Sequence, residues 1–200
     1  MNTVVKIRIL TALVVLLMGF GLSAVQAQSS SDGSGQHIAD GMQYTVPYQN
    51  NTYQDLIVPQ SADGKYLYLR LEGADGGRTR RSTAGKWTSG GEGATVVLIV
   101  PIGTEAGQVP VGSTLRFIVG EKGGENSTSG TQPAPAGSGG GTGLAFMGPN
   151  LRDKWQLLAV AGAGSGGIGD CCIVDWAGTP GQRIVATLPS SSTGIGGTFL

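Results

Sequence analysis

Runs of glycine set between short β-prone segments constrain this chain more than any other feature of its sequence. Glycine supplies 36 of the 200 residues, well over twice average usage. The runs are Gly73–Gly77 (GADGG), Gly90–Gly93 (GGEG), Gly123–Gly124, Gly137–Gly143 (GSGGGTG), Gly162–Gly169 (GAGSGGIG) and Gly194–Gly197 (GIGG). Only 9 residues are Pro, which excludes collagen, with its Gly at every third position and abundant Pro. Charged residues make up 13% and apolar residues 40%, the reverse of a solvated disordered tail. With 13 basic and 13 acidic residues the net charge is zero, so bulk electrostatics favour neither nucleic acid nor an anionic membrane as a partner.

The first 27 residues read as an address. Lys6 and Arg8 precede the apolar run Ile9–Leu22, and Ser23-Ala24-Val25-Gln26-Ala27 places short residues at the minus-three and minus-one positions. A basic region, a short apolar region and a small-residue site make a secretory signal cut after Ala27. The competing reading, a membrane anchor, needs roughly 20 apolar residues. The run is shorter than that, and no second long apolar stretch follows. No Cys follows the run to take a lipid anchor. The expected localisation is therefore secreted, extracellular or cell-surface, without stable membrane insertion after cleavage. Residues 28–200 keep 34 of the glycines and are long enough for one domain with its own core. Within them, 28–42 reads as a flexible lead-in and 43–200 as a glycine-rich β domain. The chain ends just after another glycine run opens, which leaves a continuation beyond Leu200 open.

Between the glycine runs lie Gln54–Pro59, Lys65–Glu72, Ala94–Ile102, Thr114–Val119, Leu144–Met147, Trp155–Ala161 and Arg183–Leu188. In Lys65–Glu72, Leu67, Leu69 and Leu71 alternate with Tyr66, Tyr68, Arg70 and Glu72, the period of a half-buried strand. Ala94–Ile102 is apolar on both faces, as expected of a strand inside a two-layer structure. No segment after Ala27 keeps a helical stripe over three turns, and each glycine would weaken a helix by about 1 kcal/mol. The fold class is all-β.

Glycine runs of this length exceed what hairpin turns require. They are either loose loops or extended polyglycine II, a threefold helix with no internal hydrogen bonds. Chains without Cβ atoms can lie side by side and bond laterally, which satisfies their backbone groups. Arg78–Ser89, Glu125–Ala136 and Gly148–Lys154 are polar and read as long surface loops, where binding residues tend to sit.

The ordered series LRLEGADGG, TLRFIVGEKG, GSGGGTGLAF and KWQLLAVAGAGSGG, from about Gln43 to Gly169, resembles the glycine-rich domain of secreted and cell-surface proteins. Its best-known examples are the extracellular parts of the anaplastic lymphoma kinase and leukocyte tyrosine kinase receptors, with related domains in bacterial secreted proteins. The resemblance implies a β-sandwich fused to polyglycine II helices, which favours ordered runs over loose loops. It also implies binding of protein ligands. Two departures limit it. These residues contain no kinase and no transmembrane segment, so receptor signalling is not implied. The runs are also short and mixed, so any polyglycine bundle is small.

Catalytic chemistry finds little material. Gly162-x-Gly164-x-x-Gly167 follows an apolar strand, but the residues after it are too broken for the helix a dinucleotide fingerprint requires. Gly85-Lys86 lacks the upstream Gly of a phosphate loop, and Trp87 replaces its Ser/Thr. The single histidine, His37, falls in the lead-in, so neither a triad nor a His/Cys metal centre is expected. Glu92, Glu105, Glu121 and Asp170 read as strand-end and turn residues. A non-catalytic protein without cofactor or metal follows. Its candidate contact loop is Arg78, Arg80, Arg81, Lys86 and Trp87, cations beside an aromatic anchor; the competing reading is a solvated loop balancing Asp75 and Glu92. Asn50 and Asn126 head N-glycosylation sequons.

The expected function is an adhesion or recognition module for an extracellular protein or surface ligand. The alternative is a structural matrix or surface-layer protein that self-associates through its glycine runs.

Cys171 and Cys172 are the only cysteines and are adjacent. Across a trans peptide their Cα atoms lie about 3.8 Å apart, closer than most disulfides allow. In an oxidising compartment they form a vicinal bond, bonds to other chains, or two buried thiols. The vicinal bond is our working expectation. It predicts that alkylation of the denatured protein without reductant adds no mass, and two alkylated thiols would exclude it.

Overall fold

Short period-two segments build the sheets, and the glycine runs bond to one another beyond the strand ends. The computed structural model describes residues 4–10, 25–26, 36–37, 43–50, 52–81, 87–128, 134–150, 154–169 and 177–185. Among these there are sixteen strands, no α-helix and one 3-10 turn at Gln60–Ala62. In chain order the strands are β1 (Val4–Leu10), β2 (Val25–Gln26), β3 (Gln36–His37), β4 (Gln43–Pro47), β5 (Gln54–Ile57), β6 (Tyr66–Glu72), β7 (Thr79–Arg81) and β8 (Trp87–Thr88). They continue as β9 (Thr95–Pro101), β10 (Thr114–Ile118), β11 (Asn126–Thr128), β12 (Ala134–Pro135), β13 (Thr142–Met147), β14 (Gln156–Ala161), β15 (Ile168–Gly169) and β16 (Arg183–Val185). The all-β class is thus observed directly.

One sheet has the order β2-β4-β1-β6-β9, and another has β16-β14-β13-β10-β5-β3. Both feed one core. Tyr44, Val46, Leu67, Leu69, Leu71, Val96 and Val100 come from the first sheet. Leu56, Leu115, Phe117, Leu144, Phe146 and Leu158 come from the second. The alternation of Lys65–Glu72 is realised as read, with Leu67, Leu69 and Leu71 fully buried. In β14 a register shift opposite Leu144/Ala145 breaks the alternation, and consecutive Leu158 and Ala159 are both buried.

One expectation needs correction. Ala94–Ile102 is not covered on both faces: β9 is an edge strand, and Val97 and Ile99 are 49% and 64% exposed. The run VVLIV carries aliphatic residues on both faces, so composition concealed which face the core would use. Within the segment 28–42, Gln36–His37 pairs in parallel with Leu56–Ile57. Strands also occur within the predicted signal. β1 pairs antiparallel with both β4 and β6, and β2 pairs in parallel with β4.

The glycine runs bond laterally at a repeat of three residues. Gly73 and Gly76 donate to Ala94 and Gly91, and Ala74 and Gly77 donate to Gly140 and Gly137. Ala74 and Gly77 in turn accept from Gly164 and Gly167, and Asp75 accepts from Gly123. Residues 73–77 therefore have four backbone neighbours. Further out, Gly162 and Ser165 donate to Gln182 and Thr179, while Gly178 and Gly181 donate to Ser89 and Glu92. Side chains trim the array. Asp75 Oδ1 accepts from the Gly93 N–H at 2.9 Å. The buried Thr142 hydroxyl donates to the Glu72 carbonyl at 2.7 Å and accepts from the Gly120 N–H at 3.2 Å.

Close approach, not unusual dihedrals, requires glycine here. Among the described residues the positive-φ glycines are Gly64, Gly107 and Gly112, all outside the runs. A Cβ at Gly76 would overlap the Ser165 carbonyl, and one at Gly93 the Gly73 carbonyl. A Cβ at Gly124 would meet nothing within 4 Å. Gly76→Ala should therefore cost roughly 2–3 kcal/mol by overpacking, lowering the melting temperature by on the order of 4–12 °C. Gly124→Ala should melt within about 2 °C of the parent, since a surface change of this kind costs little. Parallel thermal melts check both.

Candidate functional site

Two segments predicted as separate loops meet in a small third sheet, ordered β11-β7-β8. β7 pairs antiparallel with β8, setting Thr79 opposite Thr88 and Arg80 opposite Trp87. It pairs in parallel with β11, setting Asn126, Ser127 and Thr128 opposite Thr79, Arg80 and Arg81. The loop expectation for Arg78–Ser89 and Glu125–Ala136 is corrected to that extent. Runs of two or three residues are too short to show a period, and their polar composition resembles a loop.

Alternation still governs these strands. Thr79 and Thr88 are buried while Arg78 and Arg80 are exposed, so the two arginines share a face with Trp87. The Arg78 guanidinium lies 4.3 Å from the Trp87 ring centroid, and that of Arg80 lies 5.8 Å away. Contacts of this kind at exposed sites contribute about 0.5–1 kcal/mol each. Arg78 Nε also donates to Glu125 Oε1 at 2.9 Å, and Lys122 Nζ stands 3.7 Å from the same oxygen. These pairs are solvent-exposed and add little to stability. Their effect is to orient the cations.

One carboxylate, Glu125, thus serves Arg78 and Lys122, while Arg80 has no acidic partner among the described residues. Asn126 fixes the strand beneath, its backbone N–H donating to Arg78 O at 3.1 Å and its side-chain amide to Pro135 O at 2.9 Å. The arrangement suits an anionic group set beside an apolar or aromatic one.

Of the residues expected at this site, Arg78, Arg80 and Trp87 are brought together. Arg81 continues β7 opposite Thr128. Lys86 lies outside the described residues, as do Cys171 and Cys172. The amides of the formal dinucleotide fingerprint are engaged elsewhere: Gly162, Gly164 and Gly167 donate to Gln182, Ala74 and Gly77.

A second constellation carries no sequence signature. Arg116 on β10 forms a two-pronged pair with Asp55 on β5, Nε to Oδ1 at 2.9 Å and Nη2 to Oδ2 at 2.8 Å. Its guanidinium also lies 3.6 Å from the Tyr53 ring centroid and 4.0 Å from that of Trp155. The hydrogen bond to Asp55 raises the Arg116 pKa further above its ordinary value, against the lowering effect of burial. The strand alternation of TLRFI places Arg116 off the core face, but its partners are 61 residues away for Asp55 and follow only from strand order.

Compared with known proteins, the chain matches no family model, no curated protein and no solved structure.

Lysine cannot reproduce the planar fork or the stacking of Arg116. Arg116→Lys should lose about 1–2 kcal/mol in urea unfolding, whereas Arg183→Lys, at an exposed position, should change stability by less than about 0.5 kcal/mol.

Proposed function

We propose that this protein is a secreted, non-catalytic recognition module whose β11-β7-β8 sheet binds an extracellular protein ligand through carboxylates flanking an apolar or aromatic group. One observation carries the reading: the β7–β8 pairing sets Arg78 and Arg80 on an exposed face with Trp87. Arginine and tryptophan are the residue types that dominate binding energy where they are presented together. The resemblance to the glycine-rich domains of cell-surface receptors supports the same assignment. We read the two larger sheets as a β-sandwich and the laterally bonded runs as polyglycine II helices, whose threefold repeat matches the spacing of their hydrogen bonds.

The alternative of a matrix protein needs the runs to associate between chains. Here Gly73, Gly76, Gly91, Gly162 and Gly164 donate within the chain, which favours the module.

Immobilised acidic peptides containing Glu and Tyr test the contact face. Arg80→Ala and Trp87→Ala should each weaken capture at least about tenfold, while the melting temperature falls by no more than about 4 °C for Arg80→Ala and about 8 °C for Trp87→Ala. Equal capture by parent and both variants overturns the assignment. On gel filtration the module elutes as a discrete species at all concentrations, whereas concentration-dependent growth would favour the matrix protein.

A further inference from the structure

The segment predicted to be removed on secretion occupies the interior of a sheet. β1 lies between β4 and β6, with Val5 opposite Val46, and Ile7 opposite both Tyr44 and Leu69. Ile9 is opposite Leu67. These partners are among the most deeply buried residues of the core. Between them, Lys6 falls opposite Thr45 and Arg70, and Arg8 opposite Gln43 and Tyr68. Arg70 and Tyr68 are partly exposed, so these positions tolerate charge.

Cleavage after Ala27 withdraws β1 and β2 together. β4 and β6 are then left about 10 Å apart, two strand spacings, each with a row of unpaired backbone donors and acceptors facing the other. Along the core side of the gap run the buried side chains of Tyr44 and Val46 from β4 and of Leu67 and Leu69 from β6. A slot with hydrogen-bonding edges on both sides, each carrying apolar side chains on its core face, is complementary to one extended strand.

We infer that the processed protein is a strand acceptor. It takes into the β4–β6 slot an extended segment of a partner protein, antiparallel to both edges, with aliphatic residues at three alternate positions and polar or basic residues between them. Val4–Leu10 shows the pattern that fits. The inference rests on reading residues 1–27 as a cleaved signal, and it adds a binding mode separate from the Arg78–Trp87 face.

The test begins with the full chain expressed for secretion in a bacterial host and the mass of the exported protein. A chain starting at Gln28 establishes processing. A chain retaining Val4–Leu10 overturns the signal reading, and with it the slot, but leaves the Arg78–Trp87 face untouched. The processed protein is then titrated with a synthetic peptide of sequence VVKIRIL. We expect saturable one-to-one binding and a melting temperature raised by about 5–10 °C at a hundredfold excess over Kd.

Peptides carrying Ile7→Asp or Ile7→Pro should bind at least tenfold more weakly. The first places a charge at the position opposite Tyr44 and Leu69, and the second removes a ladder donor. If the processed chain is unfolded alone, the parent peptide should restore a cooperative melt and the variants should not. A folded processed chain that ignores the peptide has closed the gap, and the inference is overturned. Failure of the peptide to rescue an unfolded chain, or equal binding of parent and variant peptides, overturns it as well.

Discussion

Lateral hydrogen bonding between segments that lack Cβ atoms is the interaction on which the rest of this structure depends. Gly73–Gly77 is surrounded by backbone, donating to Gly90–Ala94 and Gly137–Gly140 and accepting from Gly123, Gly164 and Gly167. Gly73–Gly77 and Gly162–Gly169 continue directly from β6 and β14, and Gly90–Gly93 and Gly137–Gly143 lead into β9 and β13, so the array fixes where these four strands leave or enter the sheets. The Thr142 hydroxyl, bonded to Glu72 and Gly120, ties the start of β13 to the end of β6 and to the residues just after β10. The apolar core is then built from strands whose ends are already tied.

The same array organises the candidate contact face. Arg78 follows the innermost run and its carbonyl accepts from Asn126, so the path of residues 73–77 sets where β7 begins. Trp87 and Ser89 lead into the run that bonds to the other side of that segment. A cationic and aromatic surface therefore sits on a rigid base, although each of its own contacts is weak. Recognition surfaces gain from such support because less ordering remains to be done on binding.

Much of the sheet structure was legible in the sequence. Leu67, Leu69 and Leu71 declare both the strand and its buried face, and the absence of any helical stripe declares the class. What could not be read has specific causes. Gln43–Pro47 is short, polar at its start and closed by Pro, so it carries too little period to stand out. Val97 and Ile99 lie in a run whose two faces have the same composition. Arg116, Asp55, Tyr53 and Trp155 meet only through strand order. Pairing among the glycine runs was the least legible feature, because a residue without a side chain encodes no register. Only the strands that flank each run select its neighbours.

The glycine array also bears on how the protein responds to temperature. Unfolding an apolar core exposes carbon to water and raises the heat capacity, whereas exposing peptide groups lowers it. In the array, residues such as Gly76, Gly91 and Gly164 would expose almost nothing but peptide groups. A fold that relies on such segments has a smaller heat-capacity change than its length implies, and hence a flatter stability curve. Its resistance to unfolding would vary little between cold and warm surroundings.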